Sequence, residues 1–460
     1  MRWREISKII KKAWEEKIKT DDGSYYKNHI ADITNKKKIL LKATRTFDTP
    51  LYILDEKKLK KDAIFFINTF RKYVANSEFF YAFKSNDLPY LIKTLQKEGY
   101  NADVGSLFEL QLALKLKFKK IIFTSPGKTI NEIKAAIKNK SKVIINIDNQ
   151  DELEKIIKLT KNKRIKASIR INTDKKIMRK WSKFGVDLKD LGGTIKKAKK
   201  NNIKIIGLHF HSSWNETAER YCRNIKLIGS YLKNNFSKED ISKIEFLDIG
   251  GGFYQKDTAL LLKFSHKFSL IEMIRDFSNK DANFDPYRFY IDEVDPLEKF
   301  AKDISKYLKR YIFTLKKDIK IFFEPGRYIN TNSTHILVKV IARKKNSIIV
   351  DGGINLIGGS DFSEYLFAPI INLSNPSFRL RREIVYGPLC TPNDLWGYSY
   401  YGRKAKRGDI LAILNQGSYN FSRAWRFLKE TAPYVVIKNK RLILAKEKEK
   451  FEDRYARCKL

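Results

Sequence analysis

Between about residues 50 and 330, short β-branched or aromatic runs alternate with lysine-studded stretches of helical period. Eight of these runs are apolar throughout, as strands covered on both faces should be. They span residues 79–83, 102–104, 120–125, 142–147, 166–171, 205–211, 244–251 and 319–326. Repeated strand–helix units of this number predict an α/β fold, a closed (β/α)8 TIM-like barrel. A doubly wound open sheet is the alternative.

Polar side chains with useful chemistry fall at or just after the carboxyl ends of these runs. They are Lys84, Asp103, Arg170, His211, Asp248 and Glu324. In a barrel the carboxyl ends of all strands meet at one face, where the active sites of barrel enzymes lie. Taken alone, Lys84 in "EFFYAFKSND" could simply leave the core for solvent. The whole set predicts one site at one end of a barrel.

The pattern changes after about residue 335, where alternating strands are separated by Gly, Asn and Lys turns without long helices. This pattern predicts a second, mostly antiparallel β domain. The predicted organisation is an N-terminal helical extension (1–45), the barrel (46–330), the β domain (331–445) and a charged tail (446–460). The strand in residues 47–55 could pair with the β domain, and residues 274–300 have the composition of an insertion or lid loop.

A formal net charge of +41 raises the possibility of a nucleic-acid or anionic-membrane partner. The lysines are nevertheless spread along the whole chain and mixed with isoleucine and asparagine, without a basic tail or an Arg-Gly repeat. We therefore expect a solvated basic surface, with neither nucleic acid nor membrane as a partner.

The cysteine content indicates a reducing compartment, and the hydropathy pattern predicts no membrane span. The three cysteines, Cys222, Cys390 and Cys458, are odd in number and lack the spacing of a disulfide framework or a zinc site. No apolar run approaches the length of a membrane span. Residues 1–19 are amphipathic and contain acidic residues, which fits a surface helix better than a signal or transit peptide. We expect a cytoplasmic protein.

A glycine-rich turn and a carboxylate near an arginine follow two of the apolar runs. Gly250, Gly251 and Gly252 would let backbone N–H groups approach a phosphate, although tight turns after strands also use glycine. Glu324 either pairs with Arg327 or holds a cationic ligand atom. Neither a GxGxxG nor a GxxxxGK[ST] motif is present, so NAD and ATP are not favoured.

Two histidines end another run, in "GLHFHSSW". No carboxylate or third histidine stands nearby at ligand spacing, so we expect no metal there. A catalytic or stacking imidazole is the better interpretation of His211.

Six motifs in sequence order resemble those of the fold type III pyridoxal 5'-phosphate (PLP) decarboxylases, the ornithine, diaminopimelate and arginine decarboxylase family. They are "YAFKSN", "HFH", "DIGGGF", "EPGR", "GPLC" with an aspartate four residues later, and "GSY". The resemblance runs from about residue 48 to residue 436. It implies an alanine-racemase-like barrel with a β domain, PLP as the cofactor, and a homodimer with shared active sites.

The resemblance also implies roles for single residues. Lys84 would bind PLP covalently, and desolvation at the end of an apolar strand would lower the pKa of its amine. Glu324 would keep the pyridine nitrogen protonated, and His211 would stack on the ring. Cys390 and Asp394 would come from the second subunit, the cysteine to return a proton and the aspartate to contact the distal group of the substrate.

Further residues match the surroundings of the cofactor and substrate in this family. The expected phosphate site comprises Ser213, Gly250, Gly251, Gly252, Gly326, Arg327 and Tyr419, and the expected polar network comprises Asp103, Glu109 and Arg170. The expected substrate contacts are Asp394 and Tyr365. The alternatives are that Cys390 is a small buried side chain and that Asp394 forms a turn.

Three departures from the family pattern bear on the phosphate site and the substrate. "HSSW" stands where the family usually has His-x-Gly-Ser, which leaves Ser213 as the candidate phosphate ligand. Diaminopimelate decarboxylases typically show Cys-Glu-Ser-x-Asp, whereas this chain has "CTPND", with Thr391 at the glutamate position. They also carry an arginine shortly after Asp-Gly-Gly, and "DGGINLIGGSDFSEYLFAP" contains none. The loss removes a fork for a distal carboxylate.

We therefore expect α-decarboxylation of an L-amino acid of the ornithine or lysine type, or of a conjugate of one, in siderophore or polyamine biosynthesis. Diaminopimelate decarboxylation in lysine biosynthesis is the first alternative. An amino-acid racemase and a catalytically silent relative on the same fold are further alternatives, and a basic nucleic-acid binder is the last.

Overall fold

The computed structural model describes residues 27–161, 163–173, 182–255, 294–358 and 368–459. These residues fall into two compact units. The barrel unit comprises residues 60–255 and 294–330, and the β unit comprises residues up to 59 and from 331 onward.

Most of the longer α-helices are amphipathic, and several begin at side-chain caps. The side chain of Asn149 accepts a hydrogen bond from the backbone of Glu152, and Thr129 and Glu132 form a reciprocal capping box. The helices are α1 (Lys27–Asn35), α2 (Lys37–Phe47), α3 (Glu56–Tyr73), α4 (Pro89–Lys97), α5 (Leu107–Lys115), α6 (Ile130–Lys138), α7 (Gln150–Thr160), α8 (Leu188–Lys200), α9 (Glu219–Asn235), α10 (Lys238–Ser242), α11 (Leu297–Tyr311), α12 (Arg327–Asn330) and α13 (Phe451–Tyr455).

The strands of the barrel unit are all parallel and close on themselves. They follow β1 (Leu51–Asp55) and are β2 (Ser77–Ala82), β3 (Asn101–Val104), β4 (Ile121–Thr124), β5 (Val143–Ile147), β6 (Ile165–Arg170), β7 (Ile203–His209), β8 (Phe246–Asp248) and β9 (Lys320–Phe323). Each strand pairs with its successor in the chain, and β9 pairs with β2. The predicted barrel is confirmed, and the open-sheet alternative is wrong.

Aromatic rings and isoleucine side chains form a buried cluster among the barrel strands. Phe246 and Phe322 stack with their ring centroids 4.2 Å apart, and Phe80 lies 4.8 Å from Phe322. A Cβ atom on Gly207 of β7 would lie 2.1 Å from the ring of Phe246. Glycine is therefore required where this ring crosses the neighbouring strand.

The β unit is built on a mixed, mostly antiparallel sheet, as predicted for the second domain. Besides β1 its strands are β10 (Thr334–Arg343), β11 (Ser347–Val350), β12 (Ile370–Asn372), β13 (Leu380–Arg381), β14 (Ile384–Tyr386), β15 (Leu395–Gly397), β16 (Tyr400–Tyr401), β17 (Ile410–Ile413), β18 (Tyr434–Lys438) and β19 (Arg441–Lys446). β1 runs antiparallel to β10 and parallel to β18. Ile30, Ile33 and Leu40 from α1 and α2 are buried in one apolar cluster with Leu51 and Leu337.

Two details of the prediction differ from the structure. The expected strands 205–211, 244–251 and 319–326 end earlier, at His209, Asp248 and Phe323. His211, Gly250, Gly251 and Glu324 therefore lie in the loops that follow. Of the expected lid loop 274–300, residues 274–293 lie outside the described residues, whereas residues 297–300 begin α11 and are therefore not loop. Within the described ranges, no helix is long and apolar enough to cross a bilayer.

Candidate active site

Lys84 lies just beyond β2, in a short 3-10 turn formed by Phe83–Ser85. Its Nζ atom lies 3.1 Å from Oδ2 of Asp103, which sits near the carboxyl end of β3 and is 1% exposed. Thr124, at the end of β4, donates its hydroxyl hydrogen bond to the other carboxylate oxygen of Asp103. The side chain of Lys84 is 41% exposed. The lysine is therefore held by an ion pair and is half-buried, and the predicted lowering of its pKa stays a prediction.

Two carboxyl groups near Lys84 titrate close to neutral pH. Burial raises the pKa of Asp103 from 3.8 to about 6, repulsion from Glu324 adds to the rise, and Lys84 opposes it. Burial also raises the pKa of Glu109 from 4.5 to about 7, although the N–H of Gly105 donates to its Oε2 at 2.6 Å. The lysine amine therefore has neighbours that can accept or release a proton under physiological conditions.

Glu324 faces two imidazoles, one from His209 at the end of β7 and one from His211 in the loop that follows. Its Oε2 atom lies 3.4 Å from Nε2 of His209 and 3.8 Å from Nδ1 of His211. Burial by itself would raise the pKa of Glu324, but the facing imidazole of His209 outweighs it and holds the pKa well below its usual value. Burial lowers the pKa of His211 to about 4. At neutral pH the site therefore combines a buried anion with an uncharged His211 ring.

No carboxylate stands at ligand spacing from the two histidines in the sequence, but one lies near them in the structure. Glu324 is distant in the sequence, but closure of the barrel brings it to His209 and His211, and ligand atoms of the three residues lie within 4.8 Å of one another. Two histidines and one carboxylate are a set that can hold a divalent transition metal. The same set also fits PLP, since Oε1 of Glu324 is fully buried and has no hydrogen-bond partner among the described residues. Such an atom suits a buried donor like a protonated ring nitrogen.

The glycine turn after β8 joins the loops that carry His211 and Glu324. The N–H of Gly251 donates to Nδ1 of His211 at 3.1 Å, and the N–H of Gly250 donates to Oδ1 of Asp248 at 2.8 Å. A Cβ atom on Gly251 would lie 2.2 Å from the backbone oxygen of Glu324. Close packing of the two loops thus requires glycine here, and two of the predicted phosphate donors bond to side chains of the protein itself.

The remaining barrel residues of the predicted phosphate site have three different surroundings. Gly326 packs against the turn of Lys84, because a Cβ atom there would lie 2.7 Å from Oγ of Ser85. The guanidinium carbon of Arg327 lies 4.4 Å from the ring centre of Trp214. Ser213 is exposed.

Arg170 is paired with a carboxylate that the sequence analysis did not single out. Its Nε atom lies 3.9 Å from Oδ1 of Asp148, and its guanidinium carbon lies 4.2 Å from the ring centre of Phe184. The other carboxylate oxygen of Asp148 accepts a hydrogen bond from the N–H of Gly185 at 3.1 Å. Asp148 directly follows β5, so the signal that found Asp103 would also have found Asp148. The predicted polar network therefore has this additional member.

The predicted partner-subunit residues belong to the β unit. Cys390 is exposed, so the alternative of a small buried side chain is wrong. Asp394 is 2% exposed, and its carboxylate accepts hydrogen bonds from the backbone N–H groups of Ile354 at 2.8 Å and Leu389 at 2.6 Å. These contacts are those of a residue that braces a turn.

Two further predicted residues stay predictions. Tyr419 is partly exposed and adopts a left-handed backbone conformation with φ 59° in the β unit. Tyr365 lies outside the described residues.

Comparisons with known proteins agree with this geometry. A family model described as "Pyridoxal-dependent decarboxylase, pyridoxal binding domain" matches residues 66–331. The chain is 27% identical to the diaminopimelate decarboxylase of Aquifex aeolicus, over 90% of this chain and 92% of that protein. It is 25% identical to a probable ornithine decarboxylase of Dictyostelium discoideum, over 77% and 73% of the two chains.

Among solved structures, the diaminopimelate decarboxylase of M. jannaschii in complex with L-lysine superposes with a TM-score of 0.75. The identity is 23%, and the match covers 92% of this chain and 94% of that chain. At this identity the likeness shows the fold, the same barrel and β domain. Because the family model covers more than half of the sequence, including every barrel residue discussed above, the chain belongs to the pyridoxal-dependent decarboxylases, enzymes whose cofactor is PLP.

Proposed function

We propose that this chain catalyses the α-decarboxylation of an L-amino acid of the ornithine or lysine type, or of a conjugate of one, releasing CO2 and an amine. The observation that carries the proposal is the convergence of two groups at one end of one barrel. These are the Lys84–Asp103 ion pair and the buried Glu324 with its facing imidazoles. An amine that can bind an aldehyde and an anion that can hold a pyridinium are the groups that PLP chemistry requires.

PLP, when bound, supplies an electron sink for the pair of electrons left at the α-carbon as CO2 departs. Lys84 would hold the cofactor covalently through Nζ, and Oε1 of Glu324 would accept the hydrogen bond of the ring nitrogen. His211 is held in one orientation by the N–H of Gly251, which suits a ring that packs against the cofactor. Arg327, with the loop around Gly252, would receive the phosphate.

The protein's own groups also handle the protons. Asp103 is placed to take a proton from Nζ of Lys84, since the two side chains are in contact and the pKa of Asp103 is about 6. The hydroxyl of Thr124 orients this carboxylate. Glu109, whose pKa is about 7, is a second proton reservoir near the amine. We assign both carboxyl groups to proton exchange with the lysine.

The substrate class rests on what the chain lacks for a second carboxylate. Thr391 replaces the glutamate expected in diaminopimelate decarboxylases, and residues 351–369 contain no arginine. A distal carboxylate is best bound by the planar fork of an arginine. Diaminopimelate remains the second candidate substrate, because the decarboxylase from Aquifex aeolicus bears that name.

We also propose a cytoplasmic homodimer whose active sites are shared. The support is the exposure of Cys390, which leaves its thiol accessible to another chain, and the absence of any disulfide among the three cysteines, all of which are described. In this assembly Cys390 would return a proton to the product in the partner's site. Asp394 would shape the loop that presents the thiol. A role in siderophore or polyamine biosynthesis would follow from an ornithine-type substrate.

The test is a decarboxylase assay on the full chain reconstituted with PLP. Ornithine, lysine, arginine, meso-diaminopimelate and a citryl conjugate of ornithine are compared by CO2 release and by identification of the amine. We expect turnover of an ornithine- or lysine-type substrate at a kcat/KM at least tenfold above that for diaminopimelate. A higher kcat/KM for diaminopimelate would replace the substrate proposal by its alternative.

Lys84→Ala provides the matched control for the chemistry. The wild-type chain should show the visible absorbance band of a lysine-bound cofactor. Borohydride should abolish this band and leave the cofactor attached to the lysine as a stable secondary amine, whereas Lys84→Ala should show no such band and form no such adduct. Chirality of recovered substrate separates decarboxylation from racemisation. A wild-type chain that binds PLP yet converts none of the five amino acids would favour the catalytically silent relative.

A further inference from the structure

Trp214 occupies the loop after β7, where the serine of the expected His-x-Gly-Ser pattern would stand. The two serines that precede it have other surroundings. Ser212 is buried, and its hydroxyl accepts a hydrogen bond from the side chain of Asn224 at 3.1 Å. Ser213 is exposed, and its backbone oxygen accepts a hydrogen bond from Arg220 at 3.0 Å. The described contacts therefore give neither hydroxyl to an anion site.

The indole of Trp214 contacts the arginine of the predicted phosphate site. The guanidinium carbon of Arg327 lies 4.4 Å from the ring centre of Trp214 and 5.5 Å from that of Tyr254. The two rings are 5.5 Å apart and inclined by 37°. Both distances are within the range of a cation–π interaction. Arg327 thus lies against two aromatic surfaces contributed by two other loops.

The backbone of Trp214 is held in an unfavourable conformation. Its φ is 62°, in the left-handed region that a bulky side chain seldom adopts. The neighbouring Asn215 ties this loop down, since its side-chain amide donates to the backbone oxygen of Ser212 at 2.7 Å and its N–H donates to that of Gly252 at 3.0 Å. Strained residues persist where their surroundings fix them, and such residues cluster at binding sites.

We propose that Trp214 is a positioning residue that holds the guanidinium of Arg327 for the phosphate of the cofactor. The inference rests on the proposed function, which places the phosphate at Arg327. Stacking restrains a planar guanidinium while its N–H groups remain at the edge, where an anion can receive two parallel hydrogen bonds. Order imposed before binding lowers the entropy that the arginine loses when the anion arrives.

The test compares PLP with pyridoxal, which lacks the phosphate. Both dissociation constants are measured by equilibrium dialysis on the full chain freed of cofactor. The dissociation constant for pyridoxal divided by that for PLP measures the contribution of the phosphate to binding. In Trp214→Ala we expect this ratio to fall by about tenfold, the size of one cation–π contact. Trp214→Phe keeps an aromatic face and should retain most of the ratio.

Repeating the measurement in the Arg327→Ala variant separates positioning of the arginine from a general structural effect of Trp214→Ala. In Arg327→Ala the phosphate contribution should be small, and adding Trp214→Ala to it should change the ratio by less than about twofold. Circular dichroism and thermal unfolding verify that all variants fold. An undiminished ratio in Trp214→Ala, or an equal loss with and without Arg327, would overturn the inference alone. A wild-type chain that binds neither PLP nor pyridoxal would overturn the proposed function as well.

Discussion

At the scale of single residues, the site is defined by how the barrel treats its carboxyl groups. Glu324 is buried but faces imidazoles and stays ionised, whereas Asp103 is buried beside only one cation and titrates at about 6. Burial raises the pKa of both groups. At Glu324 the facing imidazoles, His209 foremost, and Lys84 together outweigh burial, whereas at Asp103 Lys84 does not. The protein thereby keeps a permanent anion and an exchangeable proton in one site, a division of roles that suits acid–base work.

Replacing Asp103 by asparagine should remove the proton acceptor of Lys84 while keeping the size of the side chain. We expect kcat to fall by about a hundredfold, the usual contribution of a positioned base. In the wild type, activity should rise with pH through about 6 as Asp103 ionises, and the variant should lack this acid limb. The measurement is the pH profile of kcat/KM for the best substrate.

Thr124→Val supplies the control for this assignment. The hydroxyl of Thr124 stabilises the ionised form of Asp103 and lowers its pKa. Without that hydroxyl the acid limb should move to higher pH and kcat at its plateau should change little. An acid limb that stays in place in both variants would assign it to another group.

Glu109 should make the stability of the protein depend on pH in a specific direction. Its pKa is about 7 in the folded chain, above the ordinary value of 4.5, so between these values the folded state binds more protons than the unfolded state. The contribution of Glu109 is therefore fully present below about 4.5 and is lost as pH rises through about 7. Relative to Glu109→Gln, the wild type should lose thermal stability over that window.

The comparison with Glu109→Gln removes effects of the large net charge, since both chains carry it. Thermal unfolding midpoints at pH 5, 6, 7 and 8 give the difference directly. A difference that stays constant across the series, or that grows in favour of the wild type, would contradict a raised pKa.

At the scale of elements, the sequence was most informative where period and burial agree. The barrel strands were found because parallel strands covered on both faces are apolar along their whole length. Their ends were misplaced at β7, β8 and β9. After β7 and β8 the apolar pattern continues into buried loops, at Phe210 and Ile249. A run of apolar residues reports burial and cannot distinguish a strand from a buried loop.

Pairing of distant loops could not be read from the sequence for a different reason. Glu324 meets His209 because β7, β8 and β9 are consecutive in the closed barrel, and this contact depends on register.

The buried lysine Lys128 is a second contact that the sequence did not reveal, since the lysines were expected on solvated surfaces. Its side chain is 0% exposed and pairs with Glu152 at 2.9 Å. Composition assigns lysine to the surface on average and cannot reveal a single buried pair.

The core of the barrel provides a prediction about β7 and β8. Gly207→Ala places a methyl group 2.1 Å from the ring of Phe246, which is itself stacked on Phe322. Overpacking of this kind should cost about 1–3 kcal/mol of unfolding free energy, measured by urea denaturation.

Gly193→Ala in α8 is the matched control. Nothing lies within 4 Å of a Cβ atom at that position. Alanine there should stabilise the chain by about 0.5–1 kcal/mol, because it favours the helix. If both substitutions had the same sign and size, backbone entropy rather than the packed ring would explain the cost at Gly207.

At the scale of the whole molecule, the basic charge and the shared active site are separate questions. The +41 charge is spread over both units, and a net charge far from zero favours solubility. The proposed dimer, by contrast, depends on one exposed loop. Cys390 belongs to the β unit, while Lys84 belongs to the barrel unit. A chain altered at one of these residues can be mixed with a chain altered at the other.

Mixing two inactive variants tests whether the active sites are shared. If Cys390 serves the partner's site, a dimer of one Lys84→Ala chain and one Cys390→Ala chain contains one site with both residues intact. Random exchange makes about half of the dimers mixed, each with one of its two sites restored, so activity should recover to about a quarter of the wild-type value. Cys458→Ala, at the other exposed cysteine, is the control. It should be fully active by itself and should behave like the wild type when mixed with Lys84→Ala.

No recovery, in a mixture whose subunit exchange is verified by mass spectrometry, would place Cys390 and Lys84 of the same chain in one site or remove Cys390 from the reaction. The kcat of Cys390→Ala alone decides between these two outcomes, because only a thiol that acts in the reaction lowers it.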